Sequence, residues 1–124
     1  MEIRSFENLE VWQIAKELVV KVYELTAVFP KDEIFGITSQ IKRASLSIPA
    51  NIAEGFGRFH YLDKAKFYLN ARGSLFELKS HLLIAIELKL LDETITKQLI
   101  QDIDRLGVKI NNLIGTTRKM AAKQ

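Results

Sequence analysis

Cysteine is absent from the 124 residues, which excludes disulfide bridges, thiolate metal sites and a cysteine nucleophile. No uncharged apolar run approaches the ~20 residues a membrane span needs, so no membrane contact is expected. The first residues, MEIRSFENLEVW, have no basic segment followed by an apolar one; they do not read as a secretory signal, and the expectation is a cytoplasmic protein. Also missing are a G-x-S-x-G elbow, a phosphate loop and a dinucleotide fingerprint. Neither an enzyme nor a bound cofactor is expected. No segment alternates apolar and polar residues as a half-buried strand does, and there is no repeat or low-complexity linker. What remains is 48% hydrophobic and 27% charged, an ordinary folded composition rather than that of a disordered tail. The length suits one domain, 1–124, with a core of its own.

The apolar residues recur at three- and four-residue spacing throughout. Leu9, Trp12, Ala15, Leu18, Val19, Val22, Leu25 and Thr26 predict a first helix over about 9–29. Asn8 is its expected N-cap, and Pro30 stops it. Thr38 or Ser39 then caps a second helix over 38–57, in which Pro49 should cause a bend and Gly55 and Gly57 should end the helix. Phe56, Phe59, His60 and Tyr61 form an aromatic turn around Arg58. Such a turn either closes the end of a bundle or stacks nucleic-acid bases. A third helix over 62–91 carries Phe67, Ala71, Leu75, Leu78, Leu82, Ala85 and Leu88 on its core face. Gly73, unfavourable inside a helix, calls for a close approach by a neighbour. Asp92 or Thr94 caps a fourth helix over 94–115 with Ile95, Leu99, Ile103, Leu106, Ile110 and Leu113 inward. Gly115 should end its ordered part and leave 116–124 as a frayed basic tail. Four helices with short connections predict an all-α, antiparallel up-down-up-down four-helix bundle.

The stretch Ser39 to Arg58, SQIKRASLSIPANIAEGFGR, is unusual among the four. On a helical wheel Gln40, Ser47, Asn51, Glu54 and Arg58 fall within roughly 40° of one another, with Arg43 at the margin. Ile37, Ile41, Ala44, Ile48 and Ile52 form the apolar stripe, and Ala50 and Ala53 lie on the far side with Leu46. The third helix has a matching polar row in Lys66, Asn70, Ser74, Glu77 and His81. A structural network between the two helices, made by Gln40, Ser47, Asn51, Glu54, Ser74 and Glu77, is the expected use of these rows. A di-metal centre would need a Glu from each of two helices and Glu-x-x-His from each of the others. Glu77 and His81 are four apart and Glu54 is the one further carboxylate in the rows, so no metal site is expected.

The net charge of +3 is small but uneven. Residues 1–37 carry four basic and seven acidic groups, 38–75 six and two, 76–104 three and six, and 105–124 five basic groups with no acid. Basic and acidic faces could pair within the fold or between subunits; alternatively the basic blocks form a surface for phosphates. The candidate phosphate-binding residues are Lys42, Arg43, Arg58 and Arg72, then Arg105, Lys109, Arg118 and Lys119. Apolar groups beyond one stripe per helix, Val11, Ile14, Val20 and Tyr23 on the first and Leu83, Ile84 and Ile86 on the third, predict self-association.

Four segments carry a resemblance. They are F-x-x-L-x-V-W-Q-x-A from Phe6 to Ala15, FP followed by E-x-F-G from Phe29 to Gly36, TSQIKRASLSIPANIAEGFGR, and GSLFEL from Gly73 to Leu78. In this order they resemble the bacterial four-helix-bundle proteins encoded by intervening sequences of large-subunit ribosomal RNA genes, sometimes labelled ribosomal proteins. The accessory variability proteins of diversity-generating retroelements are similar in fold. The resemblance implies a four-helix bundle, a homopentameric ring, no catalytic activity, and RNA or DNA binding. This chain departs from the retroelement relatives in being only mildly basic. A scaffold that binds another protein, with no nucleic-acid contact, is the alternative.

Overall fold

The computed structural model describes residues 5–28 and 36–124. Four helices fill them: α1 (Glu10–Thr26), α2 (Ile37–Gly57), α3 (Tyr61–Glu87) and α4 (Glu93–Ala122), with a single 3-10 turn, Phe6–Asn8, before α1. There is no strand among the described residues. Each helix packs on its neighbours in the cyclic order α1, α2, α3, α4 and back to α1, and among the described residues no diagonal pair brings its backbones together. This is the antiparallel up-down-up-down bundle that the spacing predicts.

One stripe from each helix builds a continuous core: Ala15, Leu18 and Val22 from α1, Ile41, Ile48 and Ile52 from α2, Leu75, Leu78 and Leu82 from α3, and Leu99, Ile103, Leu106 and Ile110 from α4. Each buried side chain of this size contributes about 1.5–3 kcal/mol relative to exposure. The register differs from the sequence reading at several positions, among them Phe67, which stays outside the core while Tyr68 beside it is buried. Val11, assigned to the outer surface, is buried, whereas Ile95 and Leu88, assigned inward, are 56% and 58% exposed. Thr96 takes the inward place beside Ile95, and its Oγ1 has no hydrogen-bond partner.

The helix ends correct several expectations. Asn8 does not cap α1, because the 3-10 turn absorbs it; Asn8 N–H donates to Ser5 O and Leu9 sits at the cap. Phe6 folds back edge-on to Trp12, ring centroids 5.1 Å apart. α1 ends at Thr26, where Thr26 Oγ1 donates to Val22 O at 2.9 Å; Phe29, Pro30 and the connection to Phe35 lie outside the described residues. Gly36 occupies the N-cap of α2, and neither Thr38 nor Ser39 supplies a capping bond. Helix α2 continues across Pro49 and through Gly55 to Gly57.

The glycine that a close approach requires is Gly55, not Gly73. A Cβ on Gly55 would lie 2.6 Å from Tyr68 Cε1 and 3.1 Å from Lys64 O, while one on Gly73 meets open space. Helix α3 stops at Glu87, short of the expected Leu91. Its end is a Schellman turn: Leu90 N–H donates to Ala85 O and Lys89 N–H to Ile86 O, with Lys89 at φ 60°. Asp92 then caps α4, accepting from Ile95 N–H at 2.9 Å. Helix α4 does not fray at Gly115. Burial of Ile114 and Thr117 holds the next turns, and the helix runs to Ala122. Gln124 Oε1 accepts from Tyr61 N–H at 3.3 Å, so the last turn of α4 abuts the start of α3.

Candidate nucleic-acid interface

The two polar rows meet along the seam between α2 and α3. Ser47 and Ser74 share a hydrogen bond of 2.8 Å, and Asn51 Nδ2 donates to Ser47 O at 2.8 Å and to Ser47 Oγ at 3.0 Å. One turn towards the N-terminus of α2, the Arg43 guanidinium donates to Gln40 Oε1 at 2.9 Å and bonds Glu77 across the seam. His81 Nε2 lies 3.2 Å from the same Glu77 carboxylate. Glu54 stands apart from this network and pairs with Arg58 on its own helix at 3.2 Å. Both serine hydroxyls are engaged within this network, Ser47 with Ser74 and Asn51, and neither is hydrogen-bonded to a histidine or a carboxylate among the described residues. The row can set the register between two helices. Among the described residues no three His, Asp or Glu side chains converge as metal ligands do.

The eight candidate cations divide into two sets. Lys42 lies over the Tyr23 ring at 5.0 Å and Arg58 over the Phe67 ring at 4.5 Å. Arg72 donates to Asn111 Oδ1 at 2.9 Å. Arg43 pairs with Glu77, Arg105 with Asp102 and Lys109 with Glu10. An exposed ion pair contributes little stability, but a cation beside its carboxylate presents little net charge to a phosphate. Arg118 and Lys119, on the exposed last turns of α4, pair with no carboxylate among the described residues. Lys66 and Lys123 share that condition and were not among the eight candidates. The signal for Lys123 was the lack of any acid after Asp104; Lys66 was visible in sequence only as a member of the polar row on the third helix.

The last turn of α4, with Lys119 and Lys123, lies beside the three-residue connection Arg58–His60 between α2 and α3, through the bond from Tyr61 N–H to Gln124. Lys64 Nζ donates to Phe56 O at 2.6 Å, which ties down the C-terminal carbonyls of α2, and burial lowers its pKa. Phe56 is half-buried beneath it, with the ammonium 5.4 Å from the ring. The Tyr68 ring fills the space that Gly55 leaves, and burial pushes its hydroxyl up to about 12. Phe59 is not part of this closure. It is 84% exposed and edge-on to the exposed His60 ring, centroids 5.0 Å apart.

The opposite side of the bundle holds a feature that no sequence motif announced. Between α1 and α4 runs an apolar groove of about 450 Å³, lined by Leu25, Val28, Leu91, Ile95 and Leu99 and edged by Lys21 and Asp102.

A family model described as 23S rRNA-intervening sequence protein matches residues 7–112. Among solved structures, the chain is similar to a protein of unknown function from the S23 ribosomal protein family of Bacteroides thetaiotaomicron. The TM-score is 0.78 at 20% identity, covering 85% of this chain and 95% of that one, a likeness of fold. No curated protein matches the chain.

Proposed function

From the premise that the chain belongs to the 23S rRNA-intervening sequence protein family, we propose that it is a non-enzymatic, homo-oligomeric cytoplasmic bundle that binds nucleic acid through phosphate contacts. The observation that carries this is the C-terminal end of α4. Arg118, Lys119 and Lys123 stand there on ordered helix, with no acid after Asp104 to neutralise them. Lys66, exposed near the start of α3, adds a further cation. The family's name ties it to 23S rRNA, so RNA is the first probe. Arg43, Arg58, Arg105 and Lys109 recede to secondary candidates because each has a carboxylate beside it; Lys42, over the Tyr23 ring, and Arg72, on the neutral Asn111 amide, keep their charge.

Self-association would multiply these cations. Its support is the outer face of α3, where Leu62, Phe76 and Leu83 are 72%, 64% and 44% exposed. A helix apolar on the face opposite its core stripe is one that another surface covers. A ring, the pentamer of the resemblance, would place several copies of the basic end together and build a strong local potential. No helix among the described residues is long and apolar enough to cross a membrane.

Binding of labelled RNA at two salt concentrations, with light scattering on the same sample, tests the proposal. Four phosphate contacts to a single strand correspond to a log–log salt slope of about −3, or roughly fiftyfold weaker binding between 50 and 200 mM salt. Replacing Arg118, Lys119 and Lys123 by Gln should flatten that slope by about 2 and leave the oligomer intact. An oligomer that binds no RNA at low salt sinks the nucleic-acid proposal. The apolar α1–α4 groove favours a second reading, a scaffold that docks another protein. Its contact would be nearly indifferent to salt.

A further inference from the structure

We infer that Phe59 is a base-stacking platform, so that the basic end of the bundle selects unpaired bases of a single-stranded nucleic acid over duplex. The inference rests on the phosphate-binding reading of that end and adds its selectivity. Two roles were open to the aromatic turn in sequence, and the geometry separates its members. Phe56 closes the end of the bundle beneath Lys64, together with Tyr68 of α3, which lies beyond the turn and packs against Gly55. Phe59 closes nothing: at 84% exposed it is the most exposed large apolar side chain among the described residues. The backbone turns outward there, with Arg58 and His60 both extended and α3 restarting at Tyr61.

Apart from Leu62, 72% exposed three residues on, what surrounds Phe59 is polar or cationic, a setting that fits a nucleotide. His60 stands edge-on to its ring at 5.0 Å, leaving a ring face for a partner. Tyr61 N–H is bonded to Gln124, which sets the last turn of α4, with Lys119 and Lys123, beside the same connection. Asp63 is the exposed acid nearby, while Glu54 is held by Arg58. An aromatic face next to cations that pair with no carboxylate among the described residues offers the two contacts a single strand needs, stacking for the base and charge for the backbone. A duplex keeps its bases in its own stack, so it can use the cations but not the ring.

The test compares the full chain with Phe59→Ala and Phe59→Trp, using a labelled single-stranded pyrimidine RNA and a duplex of matched charge, with light scattering on each protein. Phe59→Ala should weaken single-strand binding by about fivefold to a hundredfold, the range set by loss of one base–aromatic stack. Duplex binding and the salt slope should stay unchanged, and Phe59→Trp should bind the single strand at least as well as the native chain. Single-strand binding by Phe59→Ala within about twofold of the native chain overturns the stacking role and leaves the phosphate-binding reading standing. Equal losses on both probes, or a dissociated oligomer, assign Phe59 to structure or assembly and overturn it as well. If the native chain binds neither probe at low salt, both readings fall together.

Discussion

Along the middle and end of the α2–α3 seam the facing residues are short, although Arg43 and Glu77 bridge its exposed edge: Ser47 meets Ser74 at 2.8 Å, and Gly55 meets the Tyr68 ring. Across the α1–α4 seam they are long and charged: Lys21 reaches Asp102 at 3.0 Å, and Lys109 reaches Glu10. Helices faced with hydroxyls and glycine can approach until their backbones nearly touch, and α2 and α3 make the most extensive contact in the bundle. A lysine spans a wider gap with its four methylenes and keeps its ammonium wet, so α1 and α4 join across an open groove. The difference separates a close-packed seam from one with room. The close-packed seam ends in the short connection that carries Phe59; the open seam leaves an apolar groove.

Two leucines test that contrast most strongly. Leu82 is fully enclosed on α3, and Leu99, 5% exposed, lines the α1–α4 groove. Leu82→Ala should cost about 3–5 kcal/mol, because a sealed cavity remains, and Leu99→Ala about 2–3 kcal/mol, because the groove can relax into the space. Equal losses in denaturant unfolding would mean that the two seams are equally closed. Two glycines come next, with opposite signs. Gly55→Ala drives a methyl into Tyr68 and the Lys64 carbonyl and should destabilise by about 1–3 kcal/mol. Gly73→Ala meets open space and should stabilise by up to about 1 kcal/mol. A stabilising Gly55→Ala would show that the close approach is not needed. The smallest effect belongs to the open seam: Lys21→Ala should lower stability by less than about 1 kcal/mol, and less still in high salt. A larger loss by thermal unfolding would make the charged bridge, not the core, what joins α1 to α4.

Much of the fold was legible because it rests on local rules. The three- and four-residue spacing of Ile41, Ala44, Ile48 and Ile52 names a core face whatever the neighbours are, and Asp92 is a good cap on side-chain chemistry alone. The misses share a cause. Gly115 looked like an end, yet the cost of a helical glycine, about 1 kcal/mol, is outweighed when Ile114 and Thr117 are buried beyond it. Gly73 looked like the close approach because it interrupts a strong pattern; Gly55 looked like a breaker because it is followed by Gly57. Which glycine touches a neighbour depends on the opposing helix, and here that is Tyr68. For the candidate interface, sequence supplied the acid-free stretch after Asp104. It could not show that Arg43 faces Glu77 or that Lys109 faces Glu10.

The sequence by itself determined four helices, their core faces and an excess of cations at the C-terminal end, since periodicity and composition are properties of neighbouring residues. Only the tertiary structure decided which cations keep their charge free, which aromatic residue of the α2–α3 turn stays outside, and which seam remains open. Each of those depends on the distance between side chains far apart in the chain, and that distance exists only once the helices have packed.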